Sequence, residues 1–432
     1  MRLYTAFSVL NYEVVCPVRL SHLTFGTLTP VPCFLIRFLG ILDWFIIQWE
    51  YYTCLNEICN WVAKALTIIL VFVNVRFQEK NLDNTQKTEE GKMREIDQSK
   101  VVSQILFGTS EAGKTYEFDE GHDPNLPSQW WFQESDEGLI LFVVFHTQAC
   151  RWSQCISCSL PSKCSKQPVG YKSLLSQINY IFDLPEISKR RLAIRKVILS
   201  NNGSVLDQLT FSSMALMYLV MKLNLHFPKL AVLSIETRPE YVEIEELDFL
   251  ARGIAEGDTP IELELAVGFE LFDDHLRNNV LKKGLRKEVF ENLVAKMAPY
   301  GFRLKCYVMQ KPVPGMTSEE AIQDVRNSFD YFHALYRKHD GKVKFNVHLN
   351  PTYVARGTIL EPAFERGDYT PPSLQDVATA VKHARDLPIS VYIGLDDEGL
   401  AVLGGSFIRP GDELILKKLK TFNERQDYSL LP

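Results

Sequence analysis

The sequence predicts an α/β fold: a partial (β/α)6 TIM-like barrel that follows a hydrophobic, helical N-terminal extension. From residue 138 onward, short apolar runs rich in β-branched and aromatic residues recur along the chain. Such runs are typical of buried strands. Amphipathic stretches with helical periodicity separate them. Because regular alternation of strand and helix implies parallel strands joined by right-handed crossovers, six or seven such units predict a barrel or a partial barrel.

Composition sets limits on the class of protein. The chain has 432 residues, of which 46% are apolar and 23% are charged, and this is typical of a globular protein. The formal net charge of −6 excludes a general basic field for nucleic acid, so RNA binding would require a local patch. The nine cysteines are grouped rather than spread through a small disulfide-rich chain. Closely spaced cysteines in an intracellular enzyme favour metal binding.

Residues 1–80 differ from the rest of the chain because they are apolar and aromatic with few charges. The stretch 34–75 is apolar enough to contact a membrane, but its uncharged run 65–75 is too short to span one by itself. Three interpretations compete: a weak membrane anchor, a helical hairpin packed on the domain, or translated upstream sequence before a true start at Met93. We expect a cytoplasmic protein, membrane-associated if the extension is real.

Residues 81–137 are polar at first and predict a linker and lead-in to the barrel. Within them, residues 108–115 read GTSEAGKT and match the P-loop pattern G-x-x-x-x-G-K-T. A strand is predicted before this motif, at 101–107. The residues after it, 116–124, are acidic and broken by Gly and Pro, so no helix is predicted to present its amino end to phosphate. We therefore interpret the motif as a solvated turn.

The barrel is predicted over residues 138–407, and residues 408–432 form a C-terminal tail. The predicted strands are 139–145, 195–200, 230–236, 261–269, 303–309, 343–349 and 389–394. The predicted helices between them include 171–182, 273–284 and 319–338. In barrels of this kind the reactive groups lie at the carboxyl ends of the strands. Hydrogen-bonding residues or glycines follow each predicted strand, and this pattern indicates a lined pocket.

Three cysteines follow the first predicted barrel strand, in the spacing Cys150-x4-Cys155-x2-Cys158. A structural zinc ion takes four protein ligands, and a 4Fe–4S cluster usually takes four thiolates. If only three thiolates are supplied, one iron keeps an open position for chemistry. Cys164 would complete a zinc site in the alternative interpretation. We favour the cluster because the loop has a single C-x2-C pair, which leaves Cys164 as a thiol at the pocket rim.

Several further motifs carry a family resemblance over residues 138–407. They are ETRPEY at 236–241, PVPGMTSE at 312–319, and RGTILE through RGDY within 356–369. Together they resemble the radical S-adenosylmethionine (SAM) superfamily, in the branch of the Elongator catalytic subunit and the methylthiotransferases. With NGSVLD at 202–207 and KG at 283–284, the chain is most similar to radical SAM proteins of the archaeosine-synthase type.

The resemblance implies that Cys150, Cys155 and Cys158 hold three irons of a 4Fe–4S cluster. The fourth iron would chelate the amino and carboxylate groups of SAM. Reductive cleavage of SAM would give a 5′-deoxyadenosyl radical that abstracts hydrogen from the substrate, with the protein supplying binding and orientation. The spacing departs from the commoner C-x3-C-x2-C by one residue, which still allows three ligands.

The resemblance also implies a set of SAM contacts. Asn202, Gly203 and Ser204 would lie at the amino group of SAM. Glu236 and Glu270 would contact its methionine or ribose portions. Glu270 is favoured for the ribose hydroxyls because a carboxylate accepts two hydrogen bonds.

The partners follow from the same resemblance. A reductant such as flavodoxin or ferredoxin would supply the electron. The archaeosine-type motifs imply a modified nucleoside in tRNA as the substrate, while the acidic net charge leaves a small molecule or a peptide open. The competing hypothesis is a non-catalytic zinc-binding or RNA-binding adaptor on a degenerate barrel.

Overall fold

The computed structural model describes residues 98–257 and 259–432. The predicted hydrophobic extension at 1–80 and the alternative start at Met93 lie outside these residues. Within them, a single sheet of eight strands organises the chain, and the strands neighbour one another in sequence order. No helix in this described part has both the length and the apolar composition that a membrane span needs.

The first strand is antiparallel to the second, and the second to eighth strands are all parallel. The strands are β1 Gln129–Ser135, β2 Gly138–Val144, β3 Ile194–Ser200, β4 Val232–Glu236, β5 Glu262–Glu270, β6 Arg303–Gln310, β7 Lys344–Pro351 and β8 Ile389–Ile393. The helices are α1 Gln98–Glu111, α2 Tyr171–Asp183, α3 Pro185–Arg190, α4 Ser213–His226, α5 Ile244–Ala255, α6 Lys287–Met297, α7 Ser318–Lys338, α8 Leu360–Glu365, α9 Leu374–Val381 and α10 Glu413–Arg425.

The sheet is curled into an open half-barrel, which confirms the predicted partial barrel. Its two ends in the strand order, β1 and β8, contribute Trp131 and Tyr392 to the same internal cavity. Each predicted barrel strand corresponds to one of β2 to β8, and the bounds differ by at most two residues. The barrel therefore has seven parallel strands, one more than the predicted (β/α)6 arrangement.

Two local predictions were wrong. Residues 101–107 form part of the helix α1 rather than a strand. The buried positions Val101, Ile105 and Gly108 repeat at helical spacing, and this side of α1 packs near Ala149. The predicted helix 273–284 is shorter than expected: residues 274–280 are helical, and Leu276–Val280 form a π-helix.

Strand β1 was missed because its sequence, QWWFQES, lacks the alternation of a half-buried strand. A turn of two residues, Asp136 and Glu137, joins it to β2 and fixes the antiparallel register. Trp131 lies directly opposite Phe142 in that register, and the two rings stack with centroids 4.2 Å apart. The extra strand therefore adds an aromatic wall to the barrel.

The inner face of the barrel is charged near the amino ends of its strands. We call this cluster the charged floor; its members are Glu137, Lys196, Glu264, Arg303 and Lys305. Lys196 Nζ lies 2.6 Å from Glu137 and 2.8 Å from Glu264. Arg303 lies 3.3 Å from Glu264, whose side chain is fully buried. Burial acts to raise the pKa of Glu264, but Lys196, Lys305 and Arg303 outweigh it and lower this pKa to about 2.

We predict that Glu264→Gln destabilises the protein by about 3–5 kcal/mol, because it leaves buried cations without their anion. Equilibrium unfolding in urea measures this loss. The matched control is Glu262→Gln on the same strand. The Glu262 side chain is 45% exposed and pairs with Lys344 at 2.8 Å, so its loss should cost about 0–1 kcal/mol.

The same variant should change the pH dependence of stability. A carboxyl with a lowered folded-state pKa stabilises the fold above its unfolded pKa, and this contribution disappears as the pH falls through the folded value. The Glu264 contribution should therefore fade between its ordinary pKa of 4.5 and about 2. If Glu264→Gln and Glu262→Gln are equally stable across this pH range, the assignment of Glu264 to the ion pairs of the charged floor is wrong.

Candidate functional site

A cavity of about 850 Å³ opens at the carboxyl ends of the parallel strands. Its wall contains the three cysteines of the predicted cluster loop, Cys150, Cys155 and Cys158. It also contains four of the five predicted SAM contacts, which are Asn202, Gly203, Glu236 and Glu270. The fold therefore brings residues from the β2, β3, β4 and β5 loops to one space, as expected for strand ends of a barrel.

The cysteine loop has little regular structure and is fixed by contacts with the rest of the chain. The Ile156 amide donates to the Leu281 carbonyl at 3.1 Å, and the Cys158 amide donates to Cys155 at 3.2 Å. Ser153 has a left-handed backbone with φ of 46°. Its hydroxyl donates to the Cys150 carbonyl at 2.5 Å. These bonds turn the loop so that its three thiols reach one cavity.

The thiols lie close enough to influence one another. Burial raises the pKa of Cys158 to about 12, with Lys114 opposing the rise and the ionised forms of Cys155 and Cys150 adding to it. Burial also raises the pKa of Cys155, against the effect of Lys283, Arg238 and Lys114. A bound metal group would deprotonate such thiols and neutralise the thiolate charge.

The donor set fits a cluster held by three thiolates. Within residues 98–257 and 259–432, no group of three or more His, Cys, Asp or Glu side chains meets at a point that could hold a single metal ion. A 4Fe–4S cubane offers a different iron to each thiolate, so its ligands do not have to meet at one point. Cys150, Cys155 and Cys158 are soft ligands that line one cavity, and this is compatible with a cubane.

The β3 loop lies directly against the cysteine loop. A Cβ atom placed on Gly203 would lie 3.3 Å from the Cys150 Cα, so the close approach favours glycine. Asn202 is in the left-handed region with φ of 56°. Ser204 does not line the cavity: it is buried behind it and shares a 2.7 Å hydrogen bond with the Thr237 hydroxyl. The Ser204 hydroxyl thus joins the β3 and β4 loops, and its contact with SAM stays a prediction.

Glu236 and Glu270 end two neighbouring strands, β4 and β5. Burial raises the pKa of Glu236, and hydrogen bonds from Ser200 and Tyr307 oppose the rise. Glu270 forms an ion pair with Lys283 at 2.7 Å. Gly268 makes room for this pair, because a Cβ atom there would meet both charged groups. Glu270 thus shares its carboxylate with a lysine that the sequence analysis did not assign to the site.

Two further predictions need correction, one for Cys164 and one for the P-loop-like motif. Cys164 is fully buried, and its thiol lies 3.7 Å from the Asn201 carbonyl rather than at the pocket rim.

The P-loop-like motif is not a solvated turn, because Lys114 is 92% buried and lines the cavity. The motif spans the carboxyl end of α1, where the helix dipole is negative and a phosphate would be repelled.

Part of the cavity lining is aromatic and was missed by the sequence analysis. It includes Trp131, Tyr353 and Tyr392. Tyr307 and His348 also line the cavity, with their ring centroids 5.1 Å apart. Burial lowers the pKa of His348 well below its usual value, with Lys305 and Lys196 adding to the effect, so this ring is neutral. The alternation of polar and apolar residues along β6 and β7 is the sequence pattern that could have predicted Tyr307 and His348 as cavity residues.

Arg151, inside the cysteine loop, is paired with Asp207 of the β3 loop. Its guanidinium donates two hydrogen bonds to the Asp207 carboxylate, at 2.6 and 2.9 Å. It also lies over the Tyr241 ring, 4.9 Å from the centroid. Asp207 is buried, so this bidentate pair is a stronger restraint than a surface ion pair.

We predict that Asp207→Asn loosens the cysteine loop. Loss of a charged hydrogen-bonded pair costs about 1.5–3 kcal/mol, so amide hydrogen exchange across 150–158 should rise roughly tenfold to a hundredfold. Mass spectrometry of peptides covering the loop measures the rate. The matched control is Asp368→Asn, which breaks an exposed pair with Arg366 and should leave the loop unchanged. Unchanged exchange in Asp207→Asn would contradict the restraint.

Comparison with known proteins adds independent information. No protein-family model matches the sequence. The chain is 24% identical to an uncharacterised protein of Methanocaldococcus jannaschii over 320 residues, covering 72% of this chain and 84% of the relative. Among solved structures, it is similar to the Methanocaldococcus infernus Elp3 with an N-terminal deletion, at a TM-score of 0.40 and 16% identity, with 59% of each chain covered.

Two further relatives bear directly on the predicted resemblance. The chain is 25% identical to archaeosine synthase subunit beta of Methanosarcina acetivorans, covering 57% of this chain and 66% of the relative. It is 22% identical to archaeosine synthase subunit beta of Thermococcus kodakarensis, covering 70% of this chain and 91% of the relative. The predicted similarity to proteins of the archaeosine-synthase type is thus confirmed.

Proposed function

We propose that this protein is a radical SAM enzyme that holds a 4Fe–4S cluster through Cys150, Cys155 and Cys158. The observation that carries the proposal is the shared cavity. The three thiols, Asn202, Gly203 and the two strand-end carboxylates line one space at the carboxyl ends of the parallel strands. That edge of a barrel is where reactive groups are found.

In this proposal, each group of residues has a separate task. The three thiolates hold the cluster and leave one iron without a protein ligand. Asn202 and Gly203, against Cys150, offer polar backbone and amide groups beside the open position. Glu236 and Glu270 accept hydrogen bonds from the methionine or ribose portions of SAM. Ser204 supports this wall from behind through Thr237.

Bound to these residues, a reduced cluster would supply one electron for the cleavage of SAM to methionine and a 5′-deoxyadenosyl radical, and that radical would abstract hydrogen from the substrate. The chain orients the reactants and restricts water. The volume of about 850 Å³ lies toward the upper end of the range for small-molecule pockets, which is consistent with a cofactor and part of a substrate together.

The substrate class is proposed from the relatives. Similarity to two archaeosine synthase beta subunits supports a modified nucleoside in tRNA. The aromatic rings of Trp131 and Tyr392 in the cavity lining are suited to stacking against a flat ring, which also supports a nucleobase. A one-electron donor of the flavodoxin or ferredoxin type would act as partner.

Anaerobic reconstitution with iron and sulfide tests the proposal. We expect a brown protein that produces 5′-deoxyadenosine from SAM and dithionite. Cys155→Ala should abolish the product, since the cluster loses a ligand. The matched control is Cys306→Ala, which removes a buried thiol inside β6, away from the cavity wall, and should retain the product.

The competing adaptor hypothesis makes the opposite prediction. It expects a colourless protein with stoichiometric zinc and no 5′-deoxyadenosine. Elemental analysis of the purified chain, together with the absorbance of the reconstituted sample, distinguishes the two. Product formation that persists in Cys155→Ala would also overturn the assignment of the cluster ligands.

A further inference from the structure

Lys114 connects the end of α1 to the cysteine loop. Its ammonium donates to the Ser153 carbonyl at 2.8 Å, across 39 residues of sequence. Its own amide donates to Thr109, and the next amide, that of Thr115, donates to Gly357 at 2.9 Å. The lysine backbone is therefore held on both sides, and the side chain is directed at the loop that carries the thiols.

The end of α1 is pressed tightly against the same loop. A Cβ atom on Gly108 would lie 2.7 Å from the Trp152 carbonyl oxygen, so glycine is needed for this approach. The approach brings the carboxyl end of a helix, with its partial negative charge, near three thiols that become anionic when they bind iron. A fixed cation at this point offsets that repulsion.

Among the described residues, four cations lie near the thiols, but their charges are not equally available. Arg151 is paired with Asp207, Lys283 with Glu270 at 2.7 Å, and Arg238 with Glu240. Among residues 98–257 and 259–432, Lys114 forms no ion pair: its ammonium donates to a neutral carbonyl and lies 5.6 Å from the centroid of the Tyr116 ring. Its positive charge is therefore not neutralised by a carboxylate of the described residues.

One further observation agrees with this geometry. Lys114 lines the cavity together with Cys150, Cys155 and Cys158 although the residue is 92% buried. A buried charge interacts more strongly than an exposed one because water screens it less.

We propose that Lys114 is a positioning residue that raises the reduction potential of the 4Fe–4S cluster. The inference rests on the proposed function. One-electron reduction by an external donor adds one negative charge to the cluster, and a nearby fixed cation stabilises that charge. Charge and hydrogen bonding around a cluster are established determinants of its potential. The P-loop-like motif would thus serve an iron–sulfur site rather than a nucleotide.

The test is a set of substitutions in the full-length, reconstituted protein. Lys114→Met removes charge and hydrogen bond, Lys114→Gln removes the charge but keeps a donor, and Lys114→Arg keeps the charge. The matched control is Lys282→Met. Lys282 also donates to a carbonyl at the end of α1, that of Glu111 at 3.0 Å, but it lies outside the cavity wall.

The readout is the midpoint potential, from an anaerobic dye-mediated titration followed by electron paramagnetic resonance. We expect a more negative potential in Lys114→Met and Lys114→Gln, and values close to the wild type in Lys114→Arg and Lys282→Met. An unchanged potential in Lys114→Gln would overturn the inference, as would an equal shift in Lys282→Met.

Loss of the cluster is also informative. If both neutral variants lose iron while Lys114→Arg retains it, the charge serves cluster retention rather than the reduction potential, and the inference fails. If all three Lys114 variants lose iron while Lys282→Met retains it, the role is steric and the inference fails. A wild-type protein that takes up no cluster would instead refute the proposed function itself.

Discussion

The cysteine loop of this protein is held by contacts from several separate parts of the chain rather than by regular structure of its own. Lys114 reaches it from the end of α1, Asp207 from the β3 loop, and Leu281 from the segment after β5. Each contact is a hydrogen bond to the loop backbone or to Arg151. Because the anchors Lys114 and Leu281 are 167 residues apart in the sequence (281 − 114), thiol placement depends on completion of the whole barrel.

Charge is separated along the barrel axis. At the floor, anions and cations are paired with each other, and Lys305 is so buried among them that its pKa falls to about 8. At the mouth, Glu270 and Lys283 form a pair, whereas Lys114 has no carboxylate partner within the described residues. The floor therefore contributes to fold specification, while Lys114 adds a cation without a carboxylate partner beside the thiols.

The sequence was sufficient to predict the elements that are buried on both faces. Apolar runs such as 139–145, which are rich in β-branched and aromatic residues, were correctly predicted as strands, and the loops after them were placed correctly at the barrel mouth. Residues 101–107 were misread because a short apolar run does not separate strand from helix by periodicity. The positions of Ser204 and Cys164 depend on which neighbouring loop they meet, and no local pattern contains that information. The role of Lys114 was hidden because its motif suggested phosphate binding.

The floor and the mouth lie on the same faces of the same strands, so each constrains the other. Along β5, Glu264 at the floor is followed on the inner face by Ala266 and Gly268, and along β6 Lys305 is followed by Tyr307. A slip of one residue in the pairing of either strand would turn a buried charge outward and remove Tyr307 from Glu236 at the same time. Buried ion pairs contribute little net stability when compared with apolar packing, and their best-attested use is to fix register. We interpret the charged floor as the feature that fixes the strand register, and thereby the positions of the carboxylates that face the cysteine loop.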